Sequence, residues 1–304
     1  MENNASAVIE PIHDNEFVIT PYIKDLLDSA KMYIGAGYPV NFCGPTGTGK
    51  TSLAMYLAAE LKRPVIMLHG DDEFATSDLV GGEHGFRSKR VVDNFVHHVL
   101  KTEERVDKQW IDKRLSLACK HGLTLLYDEF TRSRPEANNV LLSVLEEKML
   151  DLPGQTEGDV YLKVHPEFRA IFTSNPEEYA GIHRAQDALL DRMITIELGH
   201  LNAQTEVEIT QKRSGVALAD AQKIVNIVRD FREKREHKNA PGLRESIKIA
   251  KVTKLLKMRP SKTNDKFKKI CLDILSSEIH VFESNGAPKS ETFKFIEELI
   301  DQHC

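Results

Sequence analysis

Long apolar runs are missing from this sequence. Nowhere in its 304 residues does one approach the roughly 20 that a membrane-spanning helix needs, so no membrane partner is expected. Cysteine spacings of the metal or disulfide type are missing too. Cys43, Cys119, Cys271 and Cys304 are scattered without a C-x-x-C pair, which removes the usual zinc and disulfide readings. The histidines include the pair His97-His98 but no H-E-x-x-H, the spacing of a zinc hydrolase helix. A strong charge of either sign is also absent. With a net charge of −5 the whole chain is not marked for nucleic acid, and no DNA-binding module is recognisable. The basic cluster "RSKR", Arg87 to Arg90, reads as a solvated or subunit-facing loop. The opening "MENNASAVIEPIHDNEF" lacks the basic and apolar regions of a secretory signal. Together these absences lead to the expectation of a reduced, cytoplasmic protein.

What is present is an alternation. Apolar runs "PVNFC", "PVIML", "LTLLYDE", "RAIFTSN" and "RMITIEL" are separated by helical patterns such as "KTSLAMYLAAEL". Short apolar runs divided by helices imply a largely parallel sheet covered on both faces. Thr20 before Pro21 is an N-cap and first-position pair for a helix that stops at Gly35 and Gly37. Residues from roughly 74 to 122 read as a polar, partly helical region. After His200 the strand signal vanishes and several helices follow, with Pro241-Gly242 as a break. The expected division is a flexible tail over 1–15, an α/β core over 16–200, and helices over 201–304.

The sharpest motif is "GPTGTGKT": Gly44, Pro45, Thr46, Gly47, Thr48, Gly49, Lys50 and Thr51. It matches G-x-x-x-x-G-K-[ST] between an apolar run and a strong helix. The glycines let backbone N–H groups approach phosphate oxygens, and the positive end of the following helix faces the same anion. Lys50 adds charge for the β- and γ-phosphates of ATP, and the Thr51 hydroxyl suits Mg2+.

Asp128 and Glu129 end an apolar strand, where ligand sites of open parallel sheets lie. Asp128 would reach the magnesium shell, directly or through water, and Glu129 would polarise the attacking water. Asn175 ends another strand and suits a hydrogen bond to that water or to the γ-phosphate. Arg192 lies between a helical segment and a strand. It fits a surface charge, an ion pair with Asp191, or a finger into a neighbouring subunit's site. Arg244 falls in the first turn of a helix, where the dipole disfavours a cation and a ligand anion would suit it. Just after the acids, Ser133 and Glu136 fit an S-x-x-E capping box. It would open the helix "EANNVLLSVLEEKM", with Pro135 in its first turn and Arg132 and Arg134 on the approach.

These elements in this order resemble an AAA+ ATPase. "GPTGTGKT" would be Walker A, "LTLLYDE" Walker B, Asn175 sensor 1, Arg192 the finger and Arg244 sensor 2. The segment between "DLVGG" and Walker B is similar to the helix-2 insert of the MoxR branch. "DLPGQTEGDVYLKVHPEF" has the place of that branch's pre-sensor-1 hairpin. The strings "YDEFTRSRPEANNVLLSVLEE" and "VHPEFRAIFTSNPEEYAGIHRAQDALLDRM" narrow the resemblance to the gas-vesicle N family, in the CbbQ, NirQ and NorQ subfamily. The resemblance implies a P-loop core with a five-stranded parallel sheet of order 5-1-4-3-2 and a C-terminal helical lid. It implies ATP and Mg2+ held between subunits of a ring, expected to be a hexamer, and a von Willebrand A-type adaptor. A chaperone role in gas vesicle growth, in association with the vesicles and their other proteins, would follow. The alternatives left open are an activase of Rubisco or nitric oxide reductase, and a nucleotide-binding component that hydrolyses nothing.

Overall fold

The computed structural model describes residues 8–9, 17–94, 99–153, 160–175, 187–234, 241–277 and 289–304; the side chains of 84–94, 99–109, 277 and 289–292 are not described. Strand β1 (Val8–Ile9) lies within the segment expected to be a loose tail, and it pairs antiparallel with Val65 and Ile66. Helix α1 (Pro21–Gly35) starts where the sequence places it: Thr20 caps it by accepting from the Ile23 amide at 3.4 Å, and proline takes the first position. Strand β2 (Val40–Cys43) leads through the glycine loop into α2 (Lys50–Glu60), and β3 (Val65–His69) follows.

The next region is partly helical, as expected, but it also holds a long ribbon that the sequence does not announce. Between α3 (Thr76–Val80) and α4 (Arg114–His121) runs a two-stranded antiparallel ribbon, β4 (Gly81–Asn94) with β5 (Val99–Asp112). The strands pair only with each other, and their sequences show no sustained apolar alternation that a sequence reading could detect. Arg87 to Arg90 are therefore strand residues, not loop residues, with Lys89 opposite Glu104 and Arg90 opposite Glu103.

Strand β6 (Thr124–Asp128) ends in a 3-10 turn over Phe130–Arg132. The single helix expected after it is two short ones, α5 (Pro135–Asn138) and α6 (Val140–Leu145). The capping box does not form. Arg134 is the N-cap residue and makes no side-chain cap. The Ser133 hydroxyl is buried and faces Tyr127 at 2.7 Å, while also accepting from the Asp71 amide at 3.0 Å. Strands β7 (Met149–Asp151) and β8 (Tyr161–Lys163) pair antiparallel as the expected hairpin.

Strand β9 (Arg169–Ser174), helix α7 (Asp187–Leu190) and β10 (Ile194–Glu197) complete the sheet, in the order β1-β3-β6-β9-β2-β10. Its last five members run parallel and, numbered among themselves, give 5-1-4-3-2 read from β10. Alternate side chains serve opposite faces, as a strand's period of two requires. Leu125, Tyr127, Ala170 and Phe172 pack on one face; Leu126, Ile171, Val40 and Phe42 pack on the other. Beyond Glu197 the described elements are all helices: α8 (Ala203–Ser214), α9 (Leu218–Glu233), α10 (Leu243–Leu255), α11 (Asp265–Ser277) and α12 (Lys289–His303). They have their own core, centred on Ile224, Val228, Phe231, Ile249 and Phe267.

Candidate active site

The parallel strands end on one edge, and the chemistry-bearing residues gather there. Gly44 follows β2, and its amide donates to the Ser174 carbonyl of β9 at 3.2 Å. A β-carbon on Gly44 would stand 2.1 Å from the Leu198 carbonyl, so no larger residue fits. Gly47 and Gly49 have φ of +83° and +89°, conformations that L side chains rarely adopt. The loop thereby curls to present its amides at the start of α2. Gly49 caps that helix without a side-chain bond, and a helix start of this kind suits an anion.

Lys50 is buried, and its ammonium donates to the carbonyls of Gly44 at 2.7 Å and Pro45 at 2.8 Å. Carbonyls are neutral, so these two bonds hold the cation without cancelling the charge it offers to phosphate. Thr51 Oγ1 donates to Asp128 Oδ1 at 2.7 Å, and Thr173 Oγ1 donates to the same oxygen at 2.6 Å. Asp128 Oδ2 takes neither of these two bonds and lies 3.6 Å from Nδ1 of the exposed His69.

Glu129 differs from its neighbour. Its backbone is left-handed, φ 51° and ψ 42°, which turns the side chain out of the strand direction. Its amide donates to Thr173 Oγ1 at 2.8 Å. Its half-exposed carboxylate pairs with Arg132 at 3.1 Å. Gly70 makes room for this turn, because a β-carbon there would meet the Glu129 carbonyl at 1.9 Å.

Asn175, two residues beyond Thr173, is buried and donates through Nδ2 to Thr46 Oγ1 at 2.9 Å. The structure therefore brings together the whole loop from Gly44 to Thr51 with Asp128, Glu129 and Asn175. Arg192 is elsewhere. It precedes β10, whose Ile194 is level with Val40, so it stands at the opposite edge of the sheet from Gly44. Its acidic partner is Glu146, through Nε at 2.6 Å and a second contact through Nη2, and not Asp191. Arg244 lies in the first turn of α10, exposed and with no bond among the described residues. The α10 start is near the loop: a β-carbon on Gly242 would sit 3.9 Å from the Gly47 carbonyl.

One part of the site escaped the sequence reading. An apolar pocket opens beside Thr48 and Gly49, lined by Phe17, Val18, Leu53, Leu201, Leu243 and Ile247 among others. Its walls come from the segment before α1, from α2, from the β10–α8 link and from α10. An apolar pocket beside a phosphate loop suits a nucleotide base. The signal was the apolar stretch "FVIT" ahead of the Thr20 cap, which has no periodicity of its own. Arg213 of α8 stands in the same wall.

The donor set fits magnesium. One hydroxyl and one carboxylate, with the remaining positions filled by phosphate oxygens and water, is a common way for Mg2+ to be bound. Thr51 and Asp128 supply that pair already in contact.

Residues 39–193 match the family model described as AAA domain (dynein-related subfamily). The chain is 47% identical to "Gas vesicle ATPase GvpN" of Ancylobacter aquaticus over 98% of its own length and 84% of that protein's. It is 43% identical to the Haloferax mediterranei protein of the same name, over 88% and 76%. "Protein CbbQ" of Hydrogenophilus thermoluteolus is 25% identical over 69% of each chain. Among solved structures, a point mutant of Thermotoga maritima RuvB matches 90% of this chain and 74% of its own. Its TM-score is 0.50 at 18% identity, a likeness of fold alone.

Proposed function

The chain belongs to the dynein-related AAA domain family, among the gas vesicle ATPases, and from that membership we propose that its ATP hydrolysis drives gas vesicle assembly and enlargement. The observation that carries the chemical half of the reading is the joined set Thr51, Asp128 and Thr173 beneath the glycine loop. The vesicle half rests on the relatives, whose names tie them to gas vesicles. The higher identity to the gas vesicle relatives than to the CbbQ protein favours this client over an activase role.

In this reading the β- and γ-phosphates lie against the amides of residues 46–51. The Lys50 ammonium turns to them from the Gly44 and Pro45 carbonyls. Thr51 and Asp128 would hold Mg2+, which when bound neutralises charge on the phosphate oxygens. Glu129 leaves Arg132, accepts the proton of the attacking water and returns it after cleavage. Asn175 orients that water or the γ-phosphate. The base fills the apolar pocket, so α10 and Arg244 sense whether nucleotide is bound. Arg192, far from its own chain's loop, acts at the neighbour's site in a ring, which we take as a hexamer working with an adaptor on vesicle proteins. The protein is then found with gas vesicles.

The test is genetic. Deletion in the host should reduce vesicle size or number, and the wild-type chain should restore both while Lys50→Ala does not. Vesicles unchanged by deletion would overturn the client. Full rescue by Lys50→Ala would overturn the need for nucleotide.

A further inference from the structure

Thr173 is not a member of the glycine loop, the acidic pair or the asparagine position, yet it touches the acidic pair twice. It lies on β9, next to β6 in the sheet, where Phe172 is level with Tyr127. Its side chain is fully buried. A hydroxyl has one proton to give and lone pairs to accept with, and here both capacities are directed. The proton goes to Asp128 Oδ1 at 2.6 Å, the short length of a hydroxyl bound to a charged carboxylate. The lone pair takes the Glu129 amide at 2.8 Å. One side chain therefore fixes the Asp128 carboxylate and the backbone of the next residue.

That backbone needs fixing. Glu129 is in the left-handed region, where a residue with a β-carbon persists only if its surroundings hold it. Its own side chain is half exposed and pairs with Arg132 on the surface, which gives little restraint. The Thr173 hydroxyl is a buried side-chain anchor on one side of the Asp128–Glu129 peptide, whose carbonyl accepts from the Gly70 amide at 2.7 Å. Asn175 follows two residues on, just past the end of β9, so the same short segment supplies the hydroxyl at the acids and the asparagine at Thr46.

We propose that Thr173 is a positioning residue for hydrolysis: its hydroxyl sets the Glu129 carboxylate and leaves Asp128 Oδ2 for the metal side. This rests on the reading of Glu129 as the water-activating base. An isosteric change that deletes the hydroxyl should leave ATP bound and the water misaligned. A misplacement on the scale of an ångström costs on the order of 100-fold in rate.

The experiment compares wild type, Thr173→Val, Thr173→Ala, Thr173→Ser and Glu129→Gln as full chains. Phosphate release at saturating Mg-ATP gives kcat, calorimetry gives ATP affinity, and thermal melting reports folding. Thr173→Val should lose about 10- to 100-fold in kcat with ATP affinity within about threefold, because the bond matters only once water attacks. Thr173→Ser should recover most of the rate. Thr173→Ala gives the same reading should the valine chain not fold. The inference is overturned by wild-type kcat in the valine or alanine chain, by a loss that tracks ATP affinity or melting temperature, or by no recovery in the serine chain. If instead Glu129→Gln keeps wild-type turnover, the reading of Glu129 fails, and the Thr173 role fails with it.

Discussion

Tyr127→Phe removes one hydroxyl from the protein interior and leaves the ring. Tyr127 is fully buried immediately before Asp128, with its oxygen 2.7 Å from Ser133 Oγ and 3.0 Å from Asn138 Oδ1. Both partners are fully buried as well. Phenylalanine therefore strands the Asn138 carbonyl oxygen, a loss of about 1–3 kcal/mol near neutral pH. The hydroxyl also titrates. Burial, first of all, pushes Tyr127 up to about 12 from its ordinary 10.0, against a smaller opposite pull from the Ser133 bond. A raised pKa in the folded chain gives stability that is whole below about pH 10 and is lost as pH climbs toward about 12. At about pH 11 the wild type has forfeited about 1.4 kcal/mol through this group. Phenylalanine has nothing to forfeit there. Urea midpoints at about pH 8 and pH 11 should show the mutant's deficit shrinking by about that amount, with equal slopes. A deficit that stays constant or grows between the two pH values refutes the reasoning.

Glu206 of α8 is almost fully buried between Arg229 and Arg232 of α9, at 3.1 Å from each. Glu206→Ala leaves Arg232 buried without its counter-charge and should cost about 3–5 kcal/mol, read as an early melting of the helical region by calorimetry; an unchanged melt refutes it. Arg192→Ala and Glu129→Gln chains, each slow alone, should regain turnover when mixed if Arg192 serves a neighbour's site. No recovery at any ratio, with mixed rings demonstrated, removes that role.

Much of the site could be read before any coordinates, and for physical reasons. The glycine loop needs special backbone angles and a cation at fixed spacing, so Gly47, Gly49 and Lys50 announce themselves. Buried parallel strands leave unbroken apolar runs, which located β2, β3, β6, β9 and β10 and with them Asp128 and Asn175. Other features leave no such trace. The β4 and β5 strands pair only with each other and their sequences carry no sustained apolar alternation, so they look like polar loop. Val8 and Ile9 make an edge strand too short to carry a pattern. Ser133 satisfied a local capping rule on paper, but a buried tyrosine hydroxyl was the stronger partner. Thr173 reads as an ordinary β-branched strand residue, because its value lies in a neighbour 45 residues away.

The reading of the acidic pair can be put to one measurement: ATP turnover and ATP binding for wild type and Glu129→Gln under identical conditions. The amide keeps size and shape but cannot take a proton, so turnover should fall by about 100-fold or more while ATP still binds with wild-type affinity. Equal turnover in the two chains would contradict the assignment of Glu129 and the hydrolytic geometry built around it.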